Sequence, residues 1–169
     1  MKRLLPLLVG SLLFLTPAFS QVRTYSENAS KTFVVGLDSY FYGEAGSLSF
    51  EAAGQSFQAS VGANGVFMGD RKLGAGGDVV IGIHDFTGNR VPEFVMAQRV
   101  GESIGIWVYA LNGSAWNPLK MMSVRGAKEV RIFRQVISVR QGEALCSWTW
   151  HGDRFDYKAS DGSAEPTAL

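Results

Sequence analysis

Oxygen-bearing side chains recur at alternate places in one short stretch: Asp85, Thr87, Asn89 and Glu93 hold its first, third, fifth and ninth positions, with Val91 at the seventh. A hard cation such as Ca²⁺ wants about six to eight oxygens gathered by a tight turn, and alternate residues of a loop between strands can point inward together. Asp85, Thr87, Asn89, Val91 and Glu93 are therefore a candidate calcium loop. The charge count is against tight binding, since two carboxylates share the loop with the cation of Arg90. Extracellular calcium modules bind at about 10⁻⁴–10⁻³ M, and this loop should do no better. The other reading is a purely structural turn in which Asp85 caps backbone amides. The expected cofactor complement is none, or one weakly bound Ca²⁺.

The only neighbouring histidine–carboxylate sets are His84-Asp85 and His151 with Asp153. A Ser-His-Asp site would need one of them beside a nucleophile on a strand-to-helix elbow, and no such elbow is present. Two His and two Asp from unrelated turns carry no diagnostic zinc spacing. No catalytic residue is assigned, and the expected class is not an enzyme. All four tryptophans fall within residues 107–150. Trp107, Tyr109, Trp116, Trp148 and Trp150 are thus candidates either for core packing or for an aromatic platform that meets sugar or protein.

The stretch from His84 to Val95 resembles the calcium loops of FG-GAP or VCBS repeats in integrin-like β-propellers, where a loop of the form Asp-x-Asp/Asn-Gly-Asp-Gly-x-Pro-Asp/Glu joins two strands. Asp85, Thr87, Gly88, Asn89, Pro92 and Glu93 match it in order, and the likeness extends over roughly residues 77–158. Such loops usually carry further acids, and a glycine where this chain has Arg90. A β-carbon there strains the turn if it needs positive φ. The resemblance implies blade-like antiparallel sheets and an exported protein.

The elements that would position these residues are strands. Glycines break the chain into short runs rich in Val, Ile, Phe, Tyr and Trp, which is strand composition. Candidate strands cover 32–37, 47–51, 56–61, 79–84, 93–99, 104–111, 116–123, 130–133, 136–140, 144–150 and 154–159, and no window holds a helical period. Asn112-Gly113, Gln141-Gly142 and His151-Gly152 read as hairpin turns. Gly54, Gly113 and Gly152 are each followed three residues later by an aromatic, Phe57, Trp116 and Phe155, which would pack back over its hairpin. Residues 104–111 are apolar on both faces, so that strand should be central. Residues 69–77, rich in glycine, read as a linker. A propeller needs at least about four blades of four strands. The chain is too short for that, and the expectation is an all-β compact sandwich or open barrel of blade-like antiparallel sheets.

Lys2 and Arg3 precede an apolar run at residues 4–15, and Ala18 and Ser20 fit a signal-peptidase site. Residues 1–20 are expected to be a signal peptide cut between Ser20 and Gln21, too short in its apolar run to serve as a membrane anchor. The division expected is 1–20 signal, 21–31 flexible segment, 32–159 one domain and 160–169 disordered tail. Removing 20 of 169 residues and two cations leaves 14 Lys and Arg against 15 Asp and Glu, with no basic stripe for nucleic acid. The one cysteine, Cys146, cannot bridge within the chain and reads as a small buried hydrophobe. These features point to a periplasmic or secreted β-domain, a non-enzymatic binding module for a protein or glycan surface. The alternative is an inhibitor or immunity-type protein that blocks a toxin or hydrolase.

Overall fold

The computed structural model describes residues 31–35, 38–43, 46–77, 79–133 and 135–166. The expected signal at 1–20, its cleavage point, and residues 21–30 lie outside the described residues.

Fourteen strands and no helix are found among the described residues, in three antiparallel sheets. The central sheet has the order β1 (Lys31–Val35), β2 (Asp38–Gly43), β7 (Val79–His84), β8 (Glu93–Val100), β9 (Ser103–Asn112), β10 (Ala115–Arg125). One flanking sheet is the meander β3 (Gly46–Ala52), β4 (Gln55–Gly62), β5 (Gly65–Met68), β6 (Arg71–Gly74). The other is the meander β11 (Ala127–Phe133), β12 (Val136–Gln141), β13 (Ala144–His151), β14 (Arg154–Ala159). The all-β expectation holds, as a sandwich of antiparallel sheets in three layers.

Alternation along the central strands makes two cores. Val80, Val95, Ala97, Ile104, Ile106, Val108, Met122 and Val124 face β11–β14, where Val130, Ile132, Ile137, Val139, Cys146, Trp148 and Phe155 meet them. On the opposite face Val79, Ile81, Ile83, Phe94, Met96, Tyr109 and Trp116 meet Leu48, Ala52, Ala59, Val61, Val66 and Met68. A strand buried on both faces has no polar side to show, which is why β7 and β9 read as continuous apolar runs. The outer faces of the flanking sheets are mainly polar: Ser47, Ser49, Glu51, Gln58 and Ser60 with Phe67 on one, Arg131, Ser138, Arg140, Ser147, Thr149, Asp156 and Lys158 with Leu145 on the other.

Several expectations change at this level. Residues 69–77 are not a linker. They hold the β5–β6 turn and strand β6, and the buried Gln98 amide donates to the Ala75 and Gly76 carbonyls at 2.8 and 3.2 Å. Residues 160–166 are not a loose tail. The Leu145 amide donates to Ser160 Oγ, and Glu165 accepts from Trp148 Nε1 at 2.8 Å and pairs with Lys120 at 2.7 Å. Burial would raise the Glu165 carboxyl pKa, but those two partners hold it below its usual value. An indole N–H buried in a core needs an acceptor, and the tail supplies it.

Candidate functional site

The register of the central sheet places one set of connections at one end. His84 stands opposite Glu93, Phe94 opposite Tyr109, and Ala115 opposite Asn112, so the 85–92 loop and the β9–β10 turn emerge together. The β3–β4 turn joins them through Gln55 Nε2, which donates to the Gly113 carbonyl at 3.3 Å. The β13–β14 turn follows through Phe155, whose ring lies 5.5 Å from that of Phe86.

Within the 85–92 loop, the side-chain oxygens of Asp85, Thr87, Asn89 and Glu93 close the loop on itself. Asp85 Oδ1 accepts from the Gly88 and Asn89 amides at 2.8 and 3.2 Å, and Oδ2 from the Arg90 amide at 3.0 Å. Asn89 Oδ1 accepts from the Val91 amide at 2.7 Å. Glu93 Oε2 accepts from the Phe86 and Thr87 amides at 2.8 and 3.3 Å, and Oε1 from the Thr87 hydroxyl at 2.9 Å. Two carboxylates thus accept from five backbone amides of the turn, of which that of Phe86 also reaches the His84 carbonyl at 3.0 Å. As placed, these side-chain oxygens face the loop's own amides, which is the arrangement of a structural turn capped by Asp85. Glu93 is 3% exposed. Burial pushes its carboxyl pKa above the usual 4.5, against the Thr87 and Phe86 hydrogen bonds that lower it, with the Asp85 charge adding to the rise. Arg90 has φ 68°, so the residue that stands where similar loops carry glycine occupies the left-handed region.

The histidine sets do not assemble into a nucleophilic or metal site. His84 is buried, its ring 4.7 Å from Phe86, whereas His151 is exposed. His151 Nδ1 meets Asp156 Oδ2 at 2.8 Å, not Asp153, and Arg154 Nε donates to the other Asp156 oxygen at 2.8 Å. Arg154 and then His151 hold the Asp156 carboxyl below its usual range. Among the described residues no three His, Cys, Asp or Glu side chains are grouped to hold a metal. Cys146 is fully buried and accepts the Tyr157 hydroxyl at 3.4 Å.

The five candidate aromatics are divided by the central sheet. Trp148 and Trp150 lie in the first core, and Tyr109 and Trp116 in the second. Trp107 packs against the second core with its ring over Gly105, where a Cβ would collide with it. They form no single platform. Trp116 does border an opening, however. A cleft of about 450 Å³ lies between the edge of β4–β6 and the β9–β10 turn, lined by Ser56, Phe57, Gln58, Met68, Gly69, Arg71, Ser114, Ala115 and Trp116. Its aromatic wall is built edge to face, Phe57 and Trp116 at 5.2 Å and 81°, with Phe50 stacked on Phe57 at 5.8 Å. Arg71 Nη1 donates to the Trp116 carbonyl across the mouth. Phe57 and Trp116 are two of the aromatics that follow a turn glycine by three residues, so that spacing was the available signal. Nothing local in the sequence pointed to Arg71.

No family model, no curated protein and no solved structure matches this chain.

Proposed function

We propose that this chain is an exported, non-enzymatic binding module, periplasmic or secreted, whose loop end meets a protein or glycan surface. The observation that carries the reading is the cleft at that end, an opening between two sheets with apolar walls and a rim of hydroxyl, amide and guanidinium groups. Binding sites are typically concave, mainly apolar and furnished with a few polar groups. Connections that carry contact residues gather on the ends of a rigid sheet scaffold.

The test is retention on immobilised protein, using envelope proteins and a panel of glycans. Expected is saturable retention that is lost when Ser56 and Ser114 are replaced by Arg at the loop end. It should survive Glu143→Arg at the opposite end. No retention, or equal loss from both ends, rejects the proposal.

A further inference from the structure

We infer that the cleft between β4–β6 and the β9–β10 turn binds an apolar ring that carries one carboxylate, with Arg71 as the anion's partner. This rests on the loop end being the binding end, and it names the chemistry of one ligand for it.

Three features select that ligand. The first is space, since about 450 Å³ accommodates a ring and its substituents and falls within the roughly 300–1,000 Å³ usual for small-ligand sites. The second is the wall. Phe57, Met68, Ala115 and Trp116 offer apolar surface, and the Trp116 Nε1–H, buried within that wall, has no acceptor among the described residues. The third is charge. Arg71 is the one ionisable residue of the lining, and no carboxylate lies beside it in the cleft. One of its N–H groups holds the Trp116 carbonyl, and among the described residues no acid pairs with the rest. A guanidinium fixed at one corner presents its remaining donors as a planar fork, the geometry that suits a carboxylate. The hydroxyls of Ser56 and Ser114 and the Gln58 amide complete a rim able to hydrogen-bond a ligand's polar atoms.

The same chemistry occurs in a free aryl acid and in the last residue of a peptide that ends in an aromatic side chain. Both can be offered to the full mature chain, as phenylacetate and as a short peptide ending in a free Phe carboxylate. Phenylacetamide and the amidated peptide are the uncharged controls. Indole N–H resonances and tryptophan emission report occupancy beside Trp116.

Expected is saturable binding of at least one acid, with its amide about tenfold weaker or more, as loss of a charge-assisted pair implies. Arg71→Met should weaken the acid by a similar factor and leave the amide unchanged, whereas Lys72→Met, outside the lining, should do neither. Because Arg71 also ties two sheet edges together, Ser114→Phe is the second variant. It fills the cleft from an exposed turn and should abolish binding with the melting transition retained. The acid that binds more tightly identifies the source. Equal binding of acid and amide, insensitivity to Arg71→Met in a folded protein, or no binding of either acid overturns the inference. If a partner is still retained at the loop end in that case, the broader reading stands and only the ligand assignment falls.

Discussion

At the scale of residues, Glu93 is a carboxyl group whose ionisation the fold resists. Its carboxyl pKa is raised in the native state above the usual 4.5, mainly by burial. The native chain therefore holds that proton more tightly than the unfolded chain does. Stability must fall as pH rises from about the unfolded value through the raised native one, and level off beyond it. Glu93→Gln keeps an oxygen for the Phe86 and Thr87 amides and turns an N–H towards Thr87 Oγ1. Urea midpoints measured against pH should show wild type losing stability relative to Glu93→Gln across that window. A constant difference between the two proteins would show that burial does not control this group. The difference isolates Glu93, because Asp156 and Glu165, whose pKa values are lowered, lose their stabilisation below their usual values. Millimolar calcium should leave the melting midpoint unchanged, since both carboxylates already serve loop amides. A rise that Asp85→Ala removes would show that the loop reorganises around a cation. The spacing of Asp85, Asn89 and Glu93 was legible in sequence, but which atoms their oxygens face was not. An amide-capping turn and a cation loop require the same alternation of oxygen-bearing residues.

At the scale of elements, the turns set the register. The β9–β10 connection is Gly113-Ser114, one place later than the Asn112-Gly113 dipeptide suggests, with Asn112 paired opposite Ala115. Gly101, Gly113, Gly142 and Gly152 each have φ between 57° and 66° at the first turn position, with no positive φ at the residue that follows. That is the pattern of Gly-X hairpins, in which only the first residue must be glycine. The β3–β4 turn differs, because Ala53 at φ 49° and Gly54 at φ 72° are both left-handed. Alanine tolerates that region poorly and asparagine tolerates it well. Ala53→Asn should therefore raise stability by about 1 kcal/mol, read as a higher denaturant midpoint with unchanged slope. No gain, or a loss, would mean that the turn is not strained at Ala53. The strands that pattern reading missed were β2, β5 and β6. Strands β5 and β6 have four residues each, and β6 carries Arg71 and Lys72 on a sheet edge. Charge on a short edge strand blocks further pairing, and it also makes the strand look like a loop.

At the scale of the whole molecule, the central sheet is a wall shared by two cores. The apolar faces of residues 104–111 revealed that β9 had to be covered twice. What covers it did not follow from local pattern, because β2 reaches β7 across the whole of the β3–β6 meander. A shared wall has a thermodynamic consequence. Ile106 faces the first core and Ile81 the second, both with no exposed surface. Truncating either to Ala should cost about 2–5 kcal/mol. If the layers fold as one unit, each truncation must lower the transition of both cores equally. Trp148 and Trp150 lie in one core and Trp107 and Trp116 belong to the other, so Trp107→Phe combined with Trp116→Phe leaves Trp148 and Trp150 as reporters of the first core alone. In that background Ile81→Ala, on the far side of the wall, should shift the fluorescence transition as far as it shifts the far-ultraviolet circular dichroism. Separate midpoints would show that β3–β6 opens while β11–β14 stays docked. The cleft would then lie on the layer that opens first, and ligand occupancy at Arg71 should raise only that lower midpoint.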